Sequence, residues 1–577
     1  MAIENLITDH LDLWTAAVRP KSSAGRGTSS KLELTGIKKL RELILELAVR
    51  GKLVPQDPSD EPASVLLERI AAEKAQLIRE GKIKSEKQYP VISDTELPHS
   101  KPDGWVFERF GNVLINRDFE RIPLAVSERE KRKGGYDYYG ASGVIDKIDG
   151  YLFDKPLLLI GEDGANLINR SSPIAFIARG KYWVNNHAHV LDGLNEDLLK
   201  YVCLHINAMS LLPYITGTAQ PKMNQAKMNA IVLGIPPLAE QKRIVAKVDE
   251  LMALCDQLEL CSESQLAAHQ TLVETLLVTL TDSCDADELA QNWARLSTHF
   301  DILFTTEASI DALKQTILQL AVMGKLVPQD PSDEPASTLL ARITAEKTQL
   351  IKEKKIKKEK PLPAISEEEK PFELPQGWVW CRLNDLALSS EAGWSPQCEP
   401  TSRECNKWGV LKVSAVTWGI FKPEENKELP ESLEPRPEYE VKPGDFLISR
   451  ANTAELVARA VIVPHDAPIH LMMSDKLIRF KFSKLVEPHF VNMVNNSVFS
   501  RTYYAKVAGG TSSSMKNVSR RQIQNLVVAL PPRSEELKII DKVNGLMTIC
   551  DRLKSRLQTS QQTQLALAES LVEGALA

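Results

Sequence analysis

The stretch Gly51-Lys-Leu-Val-Pro-Gln-Asp-Pro-Ser-Asp-Glu-Pro-Ala-Ser64 occurs twice, returning letter for letter at Gly324 to Ser337, an offset of 273 residues (324 − 51). An internal repeat of this kind has to be read before any local motif, because it fixes the architecture as two related parts. The match extends upstream, where Leu47-Ala-Val49 answers Leu320-Ala-Val322. Downstream, Leu66-Leu67, Arg69-Ile70 and Gln76-Leu-Ile78 answer Leu339-Leu340, Arg342-Ile343 and Gln349-Leu-Ile351. Gly104-Trp105-Val106 and Gly377-Trp378-Val379 keep the same offset. Agreement then fades. It resumes at Pro236-Pro237, Glu240, Leu251-Met252 and Cys255-Asp256, matched by Pro531-Pro532, Glu535, Leu546-Met547 and Cys550-Asp551, now at 295 (531 − 236). The order is constant, variable, constant, variable, constant.

This pattern divides the 577 residues into an N-terminal helical region (1–101), a first variable block (102–237), a central helical region carrying the second copy of the box (238–374), a second variable block (375–532) and a C-terminal helix (533–577). Residues 1–20 read as helical, and Lys21 to Ser30 as a Ser/Gly-rich linker. Ile37, Leu40, Ile44 and Leu47 form the apolar stripe of a helix over about 36–50, with Gly51 as its left-handed cap. Pro62 suits the first turn of the next helix, which is expected to bury Leu66, Leu67, Ile70, Leu77 and Ile78. Its Lys/Glu-rich end near 82–87, like 351–360, reads as a solvated helix end rather than a DNA contact.

The variable blocks read as mixed α/β. In the first, 157–161, 174–178, 188–191 and 231–235 are strand candidates, and 197–215 is a helix candidate. In the second, strands are expected at 410–416, 445–449, 460–463, 477–482 and 526–530. After each block the period changes. Ile244, Val248, Leu251, Cys255 and Leu258 run in steps of four and three, as do Ile539, Val543, Leu546, Cys550 and Leu553. That is the seam of a coiled coil, with each helix about 40 residues or roughly 60 Å long. Each copy's natural partner is the other. The fold class is therefore α+β: two globular blocks separated by long helices pairing as an antiparallel coiled coil, with pseudo-two-fold symmetry. Ordinary packing of each amphipathic helix on its own domain is the competing reading.

Catalytic signatures are missing. The sequence has no phosphate-binding Gly-x-x-x-x-Gly-Lys-Ser/Thr loop and no Gly-x-Gly-x-x-Gly, and no metal-like spacing among its eight cysteines. His187-Ala-His189 lacks a completing ligand set, which favours packing or hydrogen bonding. Gly161-Glu-Asp-Gly164 reads as a tight turn. The first residues show no secretory pattern and no apolar run approaches membrane-spanning length, so a cytoplasmic protein with no membrane partner is expected. The net charge of −5 rules out little, because local basic surfaces matter more than the sum.

What remains is contact chemistry. Lys131, Arg132 and Lys133 stand beside Tyr136, Tyr138 and Tyr139 on a glycine-hinged loop, combining phosphate attraction with stacking. Lys222 and Asn224 in one polar loop, and Thr511, Ser513, Lys516 and Asn517 with Arg520 and Arg521 in another, precede the last strand of each block. Small residues there let backbone N–H groups approach phosphates, and the amides and cations can read base edges. Ser142, His187, His189, Lys412, Ser414, Arg450 and Asn452 complete the candidate DNA contacts. Ser449-Arg-Ala-Asn-Thr453 after an apolar run weakly echoes Gly161-Glu-Asp-Gly-Ala165.

The twin Leu-Ala-Val-x-Gly-Lys-Leu-Val-Pro-Gln-Asp boxes, the Gly-Trp that opens each block and the Ile235-Pro-Pro-Leu-Ala-Glu-Gln241 exit resemble the specificity subunit of type I restriction–modification enzymes. Tyr139-Gly-Ala-Ser-Gly143, Gly161-Glu-Asp-Gly164 and His187-Ala-His-Val190 look like pieces of its target-recognition domain. The second exit, Leu530-Pro-Pro-Arg-Ser-Glu-Glu536, departs mildly. The resemblance implies a non-catalytic subunit in which each block binds one half of a bipartite site on double-stranded DNA. The helices would set the spacing and dock modification subunits, two of them, that methylate adenine. Restriction subunits would join through the complex. S-adenosylmethionine, ATP and Mg would sit on those partners and no cofactor or metal on this chain. A protein-binding scaffold with two divergent domains is the alternative, separable by the salt dependence of DNA affinity.

Overall fold

The computed structural model describes residues 3–20, 32–84, 89–217, 220–404, 406–417, 419–510 and 515–576. The Ser/Gly-rich linker, Thr511 and Ser513 fall outside them. The chain separates into two compact units, 1–266 with 559–577, and 267–558. The first long helix, Leu238–Asp282, starts in the first unit and ends in the second; the other, Arg533–Leu576, does the reverse.

In the first unit, helix Thr35–Val49 buries Ile37, Leu40 and Ile44 completely. It stops where Gly51 turns left-handed, with φ +67°. A Cβ on Gly51 would lie 2.8 Å from Pro102 Cγ and 3.0 Å from Trp105 Cζ2, so glycine is required both for the turn and for the approach of the indole. The repeated box and the Gly-Trp pair thus build one joint. Trp105 is buried and donates its indole N–H to both Glu240 carboxylate oxygens at 3.1 Å. That ties the start of the block to the start of the long helix. Pro62 caps helix Ala63–Arg79 rather than entering it. Leu66 and Ile70 of that helix are buried, but Leu67 and Leu77 only partly, and Ile78 is exposed. The apolar stripe outruns the surface that covers it.

The second unit repeats this joint. Gly324 has φ +70°, and its Cβ would lie 2.6 Å from Pro375 Cγ and 2.8 Å from Trp378 Cζ2. Trp378 donates to Glu535 at 3.0 Å. Helices Glu307–Val322 and Ala336–Lys352 stand where Thr35–Val49 and Ala63–Arg79 do in the first unit.

Each block is tied off by its own ends. Val106–Arg109 pairs antiparallel with Val232–Ile235, and Val379–Arg382 with Val527–Leu530. Arg109 bridges Glu96 and the Ala230 carbonyl, at 2.8 and 2.9 Å. Arg382 bridges Glu369 and the Asn525 carbonyl, at 2.6 and 2.8 Å.

Inside the blocks the sheets share an order although the sequences do not. The first has Ile115–Asn116, Ala188–Asp192, Leu157–Gly161 and Ala175–Ala178 side by side, all antiparallel. The second has Ala387–Ala392, Leu477–Phe482, Phe446–Ser449 and Ala460–Ile462 in the corresponding places, again antiparallel. Each block adds a three-stranded sheet with one parallel pair: Lys133–Gly140 beside Tyr182–Val184, and Gly409–Leu411 beside Leu471–Met473.

Three further expectations change. The helix expected over 197–215 spans Glu196–Ala208 and gives way to a 3₁₀ turn, Leu212–Tyr214, as Pro213 arrives. The strand expected over 410–416 ends at Leu411 and becomes a 3₁₀ turn. The glycine-hinged stretch 133–139 is not a loop. It is a strand of a hairpin with Gly143–Ile148, whose register shifts between Lys133 and Tyr136 absorb the two glycines.

The heptad positions are buried in two separate cores. Ile244, Val248, Leu251 and Cys255 share a core with Ile37, Leu40 and Ile44 of their own unit, and with Leu565 and Ala568 near the end of the other long helix. Leu258 is partly buried there. Ile539, Val543 and Cys550, with Leu546 and Leu553 partly buried, share theirs with Ile310, Leu313 and Ile317, and with Val273, Leu277 and Leu280. The start of each helix thus packs mainly on its own unit. Arg41 adds ion pairs to Asp256 and Glu259 at 2.6 and 2.7 Å.

Candidate nucleic-acid interface

Strand Leu157–Gly161 is buried along its length, and the chain must turn where Glu162 begins a polar run. Three separated segments meet there. The Glu162 amide donates to the His187 carbonyl, the Met223 amide to the Glu162 carbonyl, and the Gly164 amide to the Pro221 carbonyl, at 2.8, 2.8 and 3.0 Å. Thr216 and Lys222 exchange a reciprocal pair of backbone bonds, both 2.9 Å. Asn224 then caps helix Gln225–Asn229, its side chain accepting from the Lys227 amide.

The second block builds the same frame from different residues. The Arg450 amide donates to the Lys476 carbonyl and the Val518 amide to the Arg450 carbonyl, at 2.9 and 2.8 Å. Gly509 and Asn517 exchange the reciprocal pair. Ala451 and Asn452 pair with Asn517 and Lys516, and Ser519 caps helix Arg520–Gln524. Lys222 and Asn517, Met223 and Val518, and Asn224 and Ser519 all stand 295 apart (517 − 222), so the offset of the constant helices already holds within these loops.

The candidates distribute unevenly over these frames. His187 is exposed, with Nδ1 2.8 Å from Asp163 Oδ2. Lys222 is half exposed and pairs with Glu162 at 3.1 Å. Ser142 sits exposed on the hairpin turn, whose neighbour Ala141 lies so close to Gly161 that a Cβ there would be 2.7 Å from its carbonyl oxygen. Lys131, Arg132 and Lys133 are at the far end of that strand, roughly 20 Å from the turn at 3.3 Å per residue. Lys131 is exposed. Arg132 lies over the Trp183 ring at 4.9 Å and pairs with Asp149, and Lys133 pairs with Asp146 at 2.6 Å. Of the tyrosines, Tyr136 packs on Tyr151 and Tyr139 stacks on Phe176.

Two candidates are interior. Tyr138 is fully buried and its hydroxyl accepts from the Leu124 amide. His189 is buried beneath the loop frame, Nδ1 2.6 Å from Asp118 Oδ2 and Nε2 3.0 Å from the Met223 carbonyl. An aromatic or imidazole side chain on an alternating strand points inward as readily as outward, and residue type alone does not say which. Neither can touch DNA.

In the second block, Ser414 donates to Glu425 at 2.6 Å and Lys412 stands 3.7 Å from the same carboxylate. Asn452 donates to Thr417 and Lys516 to the Gly510 carbonyl; Asn517 is exposed. Arg520 and Arg521 are exposed and hydrogen-bond only to carbonyls, of Ser390 and Pro361, at 3.0 and 3.3 Å. Among the described residues neither has a carboxylate partner.

Sequence reasoning missed the charge network under the first frame. Arg121 reaches Glu162 at 3.0 Å and Asp118 at 3.4 Å, and Glu162 is also 3.9 Å from His189. A carboxylate directly after a buried strand was the available signal. Among the described residues no group of His, Cys, Asp and Glu could hold a metal ion, and no helix is long and apolar enough to cross a membrane.

A family model described as type I restriction modification DNA specificity domain matches residues 102–266. The chain is 46% identical over 604 aligned residues to the type I restriction enzyme EcoEI specificity subunit of Escherichia coli, with 100% of both chains covered. It is 41% identical over 619 residues, again with 100% of both covered, to the EcoAI specificity subunit of Escherichia coli. Among solved structures, the HsdS subunit from Thermoanaerobacter tengcongensis matches 84% of this chain and 99% of its own, at 15% identity and a TM-score of 0.37.

Proposed function

The chain belongs to the specificity subunits of type I restriction enzymes, the DNA-recognition components of restriction–modification complexes, and on that premise we propose that each variable block reads one half of a divided DNA site through its loop frame. The observation that carries this is the repetition of one backbone frame in two blocks of unlike sequence. A frame that repeats holds loops in place; side chains that differ give each half its own base preference. The described residues of loops 216–224 and 509–517, the turns after Gly161 and Ser449, and the first turns of the capped helices form the contact faces. His187, Lys222, Asn224, Arg450, Asn452, Asn517, Arg520 and Arg521 lie on them.

The two long helices hold the halves at a fixed spacing by pairing antiparallel, giving the chain a pseudo-two-fold axis. The sharing of one core by Ile244, Val248, Leu565 and Ala568 supports this pairing. Two modification subunits dock on the repeated parts, since a surface present twice serves the same partner twice. They carry S-adenosylmethionine and methylate adenine. Restriction subunits supply ATP- and Mg-dependent cleavage, and the complex works in the cytoplasm.

Mapping methylated adenines in DNA from cells that express this chain with its modification subunit tests the reading. Two defined half-sites separated by an unread spacer are expected. A single undivided site would overturn it.

A further inference from the structure

His189 cannot contact DNA, yet it holds a segment that the proposed function places on DNA. Its ring has an acceptor at each nitrogen: the Asp118 carboxylate at Nδ1 and the Met223 carbonyl at Nε2. A neutral imidazole carries one N–H and can satisfy only one of them; the imidazolium satisfies both. Asp118 is itself committed, since its other oxygen accepts from the Val190 amide at 2.8 Å.

The charged groups facing His189 come from each element around it. Asp118 follows strand Ile115–Asn116, and Glu162, 3.9 Å away, follows strand Leu157–Gly161. Arg121 neutralises both carboxylates, and Lys222 of the loop reaches Glu162. Burial pulls the imidazole pKa down, but the hydrogen bond and charge of Asp118 outweigh it and leave the pKa raised above the usual histidine value.

The second block shows what is particular here. Register places His189 opposite Ile160 and Ile478 opposite Ile448, so the fully buried Ile478 stands where His189 does. There the loop is held by backbone bonds over an apolar side chain. In the first block a titratable side chain adds a bond to the loop backbone at Met223.

We propose that His189 is a positioning residue for recognition by the first block: as an imidazolium bridging Asp118 and the Met223 carbonyl it fastens the loop carrying Lys222 and Asn224 to the sheet, and losing its proton loosens that loop's grip on DNA. The inference rests on the reading of that loop as a DNA contact. The bridge is complete at pH below the free histidine value and is lost as pH rises through the higher folded value. DNA phosphates favour the imidazolium further, so binding takes up a proton.

The test measures affinity of the full chain, complexed with its modification subunit, for its cognate DNA from about pH 6 to about pH 9. Wild-type affinity should fall about tenfold across that range, equivalent to about 1.4 kcal/mol and of the order of one such hydrogen bond. DNA with the first half scrambled should bind weakly and without this slope. His189→Gln, which can donate toward only one side, should start about tenfold weak and stay flat. Asp118→Asn should move the midpoint to lower pH, a response that a purely structural role would not give. A flat wild-type profile would overturn the proposal. So would a slope that survives His189→Gln, which would belong to the exposed His187. If Lys222→Ala with Asn224→Ala leaves first-half recognition intact, the loop is not a DNA contact and the underlying reading fails instead.

Discussion

The loop frames of the two blocks share their backbone hydrogen bonds and differ in their charges. In the first, Lys222 and Arg121 are matched with Glu162, and among the described residues only Lys227 of the capped helix is an exposed cation of the frame without an ion pair. In the second, Arg520 and Arg521 have only carbonyl partners among the described residues. The first turns of the two capped helices run Gln225-Ala-Lys227 and Arg520-Arg-Gln522, one cation against two. A fixed frame can therefore carry unequal shares of the electrostatic attraction to DNA. If both frames contact DNA as proposed, the second block is expected to supply more of the salt-dependent phosphate binding and the first to rely more on hydrogen bonding and fit.

The largest expected effect probes what the two units have in common. Trp105→Ala and Trp378→Ala each remove a buried indole and its hydrogen bond to Glu240 or Glu535, although Glu535 keeps a bond from Gln329 at 3.1 Å. Each should cost about 3–5 kcal/mol and act alike on thermal unfolding of its own unit. A large disparity between them would break the equivalence of the frames.

The charge difference is read next. Arg520→Ala with Arg521→Ala should weaken DNA binding about 10- to 100-fold across sequences and lower the salt slope by about two. Relaxed choice at one base position with an unchanged slope would instead make these arginines base readers.

A third contrast lies at the exit of each block, where Gln241 and Glu536 are matched and both buried. Burial pushes the Glu536 carboxyl up to about 7 despite its ion pair with Arg533. A carboxyl whose pKa is raised on folding contributes stability in full at low pH and loses it as pH rises through the folded value. Glu536→Gln should therefore stabilise the second unit by about 1 kcal/mol above pH 7 and by little near pH 5. Gln241→Glu should bring the same pH dependence to the first unit. Equilibrium unfolding at several pH values checks both.

The smallest effect belongs to Lys222→Ala. Because Glu162 already neutralises this cation, affinity should fall by less than about threefold, as for other partly exposed ion pairs, with the salt slope unchanged. A loss as large as that of the arginine pair would erase the contrast between the blocks.

Much of the constant framework could be read in the sequence, because Gly51, Trp105 and Glu240 perform one packing task and Gly324, Trp378 and Glu535 repeat it. The central strands of the blocks were legible as short apolar runs, since burial on both faces leaves little else. The hairpin 133–148 was not, because paired glycines and alternating charges look like a loop until a partner strand exists. Tyr138 and His189 were read as surface contacts, and only the strand register shows them inside. The heptad steps marked both long helices correctly but could not say what covers them. Nearest to the start of each is its own unit, through Ile37 and Ile44 or Ile310 and Ile317. Lys222 and Asn224 were legible as part of a site because they fall in a polar loop before a terminal strand. Their neutralising partner Glu162, some 60 residues earlier (222 − 162), was not.

The central claim is that the blocks read independently, each answering for one half of the site. Replacing residues 106–235 with the corresponding block of a relative, and sequencing the methylated sites made with the modification subunit, tests it most directly. One half-site should change while the other half and the spacer stay as they were. A change in both halves would contradict the account.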